Sequence, residues 1–279
     1  MFPRLMDTED RKSEEQAEAE ERSSPSGAVV YKAVLHEGRK ELERPTSALF
    51  WSGLAAGLSM GASLIAEGLI GSHLPEANWK MLVSKFGYSV GFIVVILGRQ
   101  QLFTENTLTP ILPLMRERGL KTLRNVLRLW AIVLGANLIG CLAAAWGAGR
   151  ESAFSPEVRS EFAAIGRQAM EGSFGSHLVH AVFAGWLIAL MVWVLPFAES
   201  ARFWVIVLLS YLVGLGHFSH IVAGAVQTFY AAMVGEASWS AVGGQYFLPT
   251  FLGNVFGGVA LVAAVNHAQV VAGKKGQEV

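Results

Sequence analysis

The chain has 279 residues, 52% of them hydrophobic and only 16% charged, where a soluble domain carries about 25% charged residues. Its 22 basic and 22 acidic residues cancel, so the charge balance singles out no partner. The uncharged residues gather in five runs, 46–66, 129–149, 172–198, 203–235 and 237–273. Each is long enough for the roughly 20 apolar residues that carry a helix across a bilayer core, which excludes a soluble globular fold.

Residues 1–27 are dominated by Glu, Asp, Lys, Arg and Ser and read as a disordered polar tail. They contain no apolar core of the kind a cleaved signal needs. Residues 28–44 mix Val29, Val30, Val34 and Leu35 with charges, as a short amphipathic helix on a membrane surface would. Segment 1 follows over about 45–70. Lys85 and Arg99 then bracket only thirteen uncharged residues, 86–98, too few to span alone. A second apolar piece, 106–115, carries Pro110 and Pro113, and proline breaks a helical ladder. The two pieces read as one crossing, segment 2, interrupted by an irregular loop over 99–107. Segment 3 covers about 124–147, with Cys141 as a packing residue that has no disulfide partner in the chain. A polar, partly amphipathic linker spans 149–173 and leads to segment 4, about 176–197. Residues 203–235 are too many for one straight crossing, and Gly214, Gly216, His217, Ser219, His220 and Gly224 fall in their middle. They read as a second broken crossing, segment 5. Segment 6 runs over about 241–269, and 271–279 is a short tail.

Sixteen Lys and Arg residues fall on the side of the termini and four on the other side. By the positive-inside rule both termini lie in the cytoplasm, which an even number of crossings requires.

The chain reads as two copies of one unit. Segment 2 breaks at Leu102-Phe103-Thr104, and Asn137-Leu138-Ile139-Gly140 begins thirty-three residues after Thr104. Segment 5 breaks at Phe218-Ser219-His220, and Asn254-Val255-Phe256-Gly257 begins thirty-four residues after His220. Three crossings per copy make the second copy enter the membrane from the opposite side. Paired interruptions in inverted halves point to a site near the midplane. Peptide groups freed there must be buried in protein or line a cavity, because an unpaired one in hydrocarbon is worth several kcal/mol. Gly53, Gly57, Gly135, Gly140, Gly253, Gly257 and Gly258 leave room for close helix contacts.

In this order and spacing, Val30-Tyr31-Lys32-Ala33, Leu102-Phe103-Thr104, Asn137-Leu138-Ile139-Gly140, His220 and Gly253-Asn254-Val255-Phe256-Gly257-Gly258 resemble the formate/nitrite transporter family over about 28–270. The resemblance implies an all-α membrane protein with an aquaporin-like fold, six transmembrane segments as an inverted 3+3 repeat with segments 2 and 5 broken, and a homopentamer with one pore per subunit. It implies residence in a bacterial-type inner membrane. The family's loop threonine and central histidine fall on Thr104 and His220. Leu102 and Phe103 lie beside the threonine, and Tyr88 and Phe92, four apart on one helix face, match constriction positions opposite Val213 and Phe218. Arg99, His217, Asn137 and Asn254 are accessory candidates. The chain departs from the family at two asparagines, where Ala189 and Gly224 stand, and at a lysine before segment 4, where Ser173 is the nearest match. Arg167 is a candidate to supply that charge.

These residues lead to a channel or carrier for a small monovalent anion such as formate or nitrite, linked to protons through His220, since imidazole titrates near pH 6.5. The alternatives are a pore of the same fold for hydrosulfide, another monocarboxylate or a neutral molecule, and a membrane protein whose N-terminal tail recruits a partner. The expected partners are the anion, the lipid bilayer and further copies of the chain, with no nucleic acid. No metal-ligand cluster or nucleophile–base pair has a workable spacing, so no enzyme activity, metal or cofactor is expected. An arginine inside a membrane segment is normally paired, and Glu105 or Glu67 is the expected partner of Arg99. His177 and His180 read as interfacial, and His267 as packing or snorkelling.

Overall fold

The computed structural model describes residues 26–275. The polar tail expected over 1–27 lies outside the described residues except for Ser26 and Gly27, and residues 276–279 lie outside them as well. Regular structure among the described residues is helical throughout.

Helix α1, Gly27–Glu43, buries Tyr31, Val34, Leu35, Gly38 and Leu42, the single stripe expected of an amphipathic surface helix. Arg128 caps its C-terminal end, donating to the carbonyls of Leu42 (2.9 Å) and Arg44 (3.2 Å), where the helix dipole favours a cation. Tyr31 Oη and His267 Nδ1, 2.8 Å apart, tie it to the last helix. Burial raises the carboxyl of Glu41 above its ordinary range, and Arg44 draws it partly back.

The first copy of the repeat is α2 (Thr46–Ser72), a broken crossing, and α5 (Leu120–Ala148). The broken crossing consists of α3 (Lys80–Leu97, with one tight turn at Lys85–Gly87), a loop with a turn at Glu105–Thr107, and the short α4 (Ile111–Glu117). A polar linker follows and contains α6 (Pro156–Met170), which packs Val158, Phe162 and Ile165 inward. The second copy is α7 (Phe174–Val194), a second broken crossing made of α8 (Arg202–Leu215) and α9 (Ala223–Met233), and α10, residues 239–275. Helix α10 contains two wide π turns, Val242–Phe247 and Gly257–Ala264, and it continues past residue 270, where the tail was expected to begin.

The expected start of the first broken crossing needs correction. Helix α3 begins at Lys80, not at residue 86, and its 18 residues are long enough by themselves to cross, about 27 Å at 1.5 Å per residue. Lys85 does not bound the membrane segment. It lies inside the helix because its ammonium meets the carboxylate of Glu67 on α2.

The two copies pack alike. A Cβ on Gly57 of α2 would run into the backbone of Asn137 and the Cα of Gly140 on α5, and one on Gly185 of α7 would run into the backbone of Asn254 on α10. Side-chain-free contact brings each asparagine against a neighbouring helix and over a loop. Gly135, expected at such a contact, instead faces open space.

Each asparagine is a clamp. Asn137 Oδ1 accepts from the N–H of Phe103 (2.9 Å), and its Nδ2 donates to the carbonyls of Gly53 and Gln101 (2.8 Å each). Asn254 Oδ1 accepts from the N–H of Ile221 (2.9 Å), and its Nδ2 donates to the carbonyls of Ala181 (2.8 Å) and Ser219 (2.9 Å). Both asparagines are fully buried. Removing one orphans an N–H and two carbonyls, each worth about 1–3 kcal/mol when buried. Asn254→Ala and Asn137→Ala are therefore expected to destabilise the protein by several kcal/mol, seen as a lowered thermal unfolding midpoint in detergent, whereas Gln168→Ala in α6 leaves the midpoint in place.

Candidate functional site

The two half-helices α3 and α8 stop in the same way. Beyond α3, the N–H of Arg99 donates to the Ile96 carbonyl and that of Gln100 to the Val95 carbonyl. Beyond α8, the N–H of His217 donates to Gly214 and that of Phe218 to Val213. Both are Schellman ends, which need a left-handed residue at the turn, usually glycine. Here Arg99 (φ 50°) and His217 (φ 51°) occupy it. A bulky residue in that region is strained by about 1–2 kcal/mol, and such strain gathers at functional loops.

From these ends the chain runs extended to the asparagine clamps. The clamps make Phe103 the counterpart of Ile221, with separations of 34 and 33 residues to their asparagines. This corrects the repeat register read from the sequence, which set Thr104 opposite His220. The position equivalent to His220 is Leu102. Thr104 and His220 are not symmetry mates but partners: Thr104 Oγ1 and His220 Nε2 lie 2.8 Å apart, and both residues are buried.

The start of α9 fixes the tautomer of His220. The N–H groups of Val222 (3.3 Å) and Ala223 (3.1 Å) both donate to Nδ1. A neutral ring then carries its proton on Nε2 and donates it to Thr104 Oγ1. The threonine hydroxyl keeps its own proton for another acceptor. Phe92 meets the imidazole edge-on, with centroids 5.1 Å apart, and Tyr88 follows at 5.4 Å from Phe92.

A cavity of about 220 Å³ leads down to His220. Tyr88, Val213 and Phe218 line it, so three of the expected constriction residues share one wall system. Phe92 lies deeper, against the imidazole. Phe103 points elsewhere: its ring sits between Trp130 (5.7 Å) and Phe251 (5.6 Å), while Leu102 is fully buried.

Several residues that the sequence did not place at the site belong to this vestibule, beside the accessory candidate His217. His177 is buried, and its Nδ1 lies 3.2 Å from Ser219 Oγ, directly before His220. His180, His217 and Lys85 line the same cavity. Tyr246 occupies the space that Gly224 leaves where family members carry an asparagine. A Cβ on Gly224 would collide with the Tyr246 hydroxyl, which donates to the His220 carbonyl at 3.3 Å. No motif spacing announces these residues; only the helix interruption beside them does.

Other expectations are also revised. Arg99 is exposed and pairs with neither Glu67 nor Glu105. Glu67 is taken by Lys85, and Glu105 Oε1 is buried without a partner. Ser173 is the N-cap of α7 in a capping box with Ser176, and Arg167 pairs with Glu236 at 2.7 Å. On the face opposite the vestibule, Gln101 joins the first loop to the surface helix, its Nε2 donating to Glu41 at 2.8 Å. Cys141 Sγ lies 3.4 Å from the Val222 carbonyl, at the start of α9.

Comparison with known proteins agrees with this architecture. The profile of the family described as formate/nitrite transporter matches residues 28–268. The inner membrane protein YfdC of Escherichia coli (strain K12) is 40% identical over 266 residues, covering 95% of this chain and 86% of that protein. The formate channel BtFdhC of Bacillus thuringiensis is 24% identical over 243 residues, covering 84% and 91%. Among solved structures, an FNT family ion channel superposes with a TM-score of 0.72 at 18% identity over 86% of this chain and 98% of that chain. A pentameric formate channel with formate bound gives 0.68 at 17% identity over 81% and 98%. The inverted six-segment fold with two broken crossings is thus shared with solved channels.

Gly224 and Tyr246 yield a direct test of the packing beside His220. Gly224→Ala is expected to destabilise by about 1–3 kcal/mol through overpacking. Adding Tyr246→Phe removes the nearest colliding atom but leaves the ring carbon behind it, and should recover part of that loss. Thermal unfolding of the single and double variants measures the coupling.

Proposed function

The chain belongs to the formate/nitrite transporter family, and from that premise we propose that it conducts a small monovalent anion such as formate or nitrite through a pore in each subunit of a homopentamer. The inner membrane is its proposed location, following the 40%-identical relative of that name. The excess of Lys and Arg on the terminal side supports cytoplasmic termini, with the vestibule on the outside, next to Lys80 and α6.

The observation that carries the reading is the Thr104–His220 hydrogen bond, between two interrupted helices and beside the cavity that His220 lines. In this closed state the two side chains satisfy each other. An anion arriving from the vestibule accepts from Nε2–H of His220 and from the Thr104 hydroxyl, so the direct bond opens as the solute passes. Two neutral donors suit a small carboxylate, because charge-assisted hydrogen bonds are about twice as strong as neutral ones. Phe92, Tyr88 and Val213 keep the approach apolar, so a free anion is held back by desolvation and its neutral acid passes more readily. His220 in this reading is a donor with a fixed tautomer. Its Nδ1, facing two N–H groups, is not where a travelling proton is stored.

A second reading, a different small solute in the same pore, is favoured by the Tyr246 hydroxyl standing where an asparagine amide is common. It predicts flux of hydrosulfide or a longer monocarboxylate in preference to formate.

Stopped-flow flux into proteoliposomes tests the first reading. Thr104→Val and His220→Leu each remove a donor to the anion, worth about 1.5–3 kcal/mol. Formate flux is expected to fall on the order of tenfold to a hundredfold while the oligomer elutes unchanged. Flux in both variants equal to that of the parent removes the proposal.

A further inference from the structure

Beside the vestibule lies an ion pair that the pore reading does not use. Lys85 on α3 meets Glu67 on α2, and the two residues are 5% and 2% exposed. The turn Lys85–Gly87 lies so close to α2 that a Cβ on Gly87 would strike the backbone of Glu67. That contact delivers the ammonium to the carboxylate. The pair is sparsely satisfied. An ammonium has three donors, and Glu67 Oε1 is its described hydrogen-bond partner. Glu67 Oε2 is buried with no partner at all. Buried pairs are often no more stable than apolar residues of the same volume, so stability does not explain this one. Lys85 also lines the cavity that ends at His220, whereas Glu67 stands behind it.

We propose that Lys85 and Glu67 form a proton-taking anion site in the vestibule: Lys85 Nζ receives the anion, and Glu67 takes the proton that accompanies it. The inference rests on the anion reading above and moves the proton link from His220 to this pair. The step balances. A weak acid brings its O–H to Lys85. That O–H bond breaks, an O–H bond forms on Glu67 with Lys85 as the relay, and the ammonium exchanges the Glu67 carboxylate for the substrate carboxylate. The net charge of the site is unchanged, so no bare carboxylate is left in the membrane, the costly outcome of separating a buried pair. On release toward His220 the proton returns by the same route.

The surrounding charges are few. From α6, Glu161 faces the pair but is held by Lys80 at 2.6 Å. Glu171, at the end of α6, lines the cavity, as do His177 and His180 from α7 and His217 and His220 from the second loop. Tyr88, next on α3, is the neighbouring phenol. His177 Nε2 is buried and unpartnered and lies among the lining residues, a further donor for the same anion.

Infrared difference spectroscopy on the purified oligomer, with a pH dye in weak buffer, tests the assignment using formate as the probe. The parent protein is expected to take up a proton with each formate bound and to gain a protonated-carboxyl C=O band. In Glu67→Gln, which mimics the protonated state, formate binds without proton uptake and the band is missing. The doubly neutral Lys85→Met/Glu67→Met variant leaves no unpaired charge, so it is expected to assemble even where the single variant does not. It is expected to bind formate without proton uptake and without the band. A parent protein that binds formate without the band, a Glu67→Gln that still takes up the proton, or a double variant that takes up a proton with each formate like the parent overturns the inference. Formate flux through the parent separates the two readings: present with no band, only this pair is misassigned; absent, the anion pore itself is refuted.

Discussion

Peptide groups freed at two helix interruptions are the constraint around which this protein is arranged. The chain leaves the helical ladder after α3 and again after α8, and hydrocarbon offers the N–H and C=O groups freed there nothing. Asn137 and Asn254 supply the missing partners, each binding a loop N–H, a loop carbonyl and a carbonyl of the neighbouring helix. Close helix contacts at Gly57 and Gly185 hold the asparagines where they can do so. Once the loops are fixed, Thr104 and His220 come within hydrogen-bond distance across the repeat boundary.

The two copies of the repeat are alike in backbone and different in side chains. Arg99 and His217 share a left-handed turn, and Leu102 and His220 share the next clamp position. Backbone symmetry builds a passage with two equivalent ends, and the substitutions then make it directional. One end is a cavity lined by Lys85, His177, His180 and His217; the other is closed by Gln101 and Glu41 against the surface helix. The two sides of the site therefore differ in chemistry, a titratable vestibule on one and an amide–carboxylate contact on the other.

Much of the fold was legible because its signals are local. Charge-free runs gave the crossings, and Pro110 and Pro113 with the polar cluster at 214–224 gave the two interruptions. Thr104 and His220 were identified through a resemblance, and both lie at the site. The errors share one cause. Lys85 read as the edge of a segment because a lone charge ordinarily ends one, and its neutralising partner lies 18 residues away on another helix. His177 read as playing no part in the site because it starts a helix, and its neighbours Ser219 and Tyr246 come from distant stretches of chain. The register of the repeat slipped because Thr104 and His220 are chemically paired, and chemical pairing is not structural equivalence.

By itself, then, the sequence determined that this chain is a membrane protein of two inverted halves, each with a broken middle crossing. Hydrophobic length and helix-breaking residues act within a few turns of chain, and they mislead only where a distant partner neutralises a charge, as Glu67 does for Lys85. Tertiary structure alone decided which buried charge meets which, which way the imidazole of His220 holds its proton, and where Tyr246 replaces an absent amide. The Lys85–Glu67 and Tyr246–His220 contacts join separate helices, and the His220 tautomer is set where the second loop turns into α9; all of them exist only once the helices have packed and the loop is fixed.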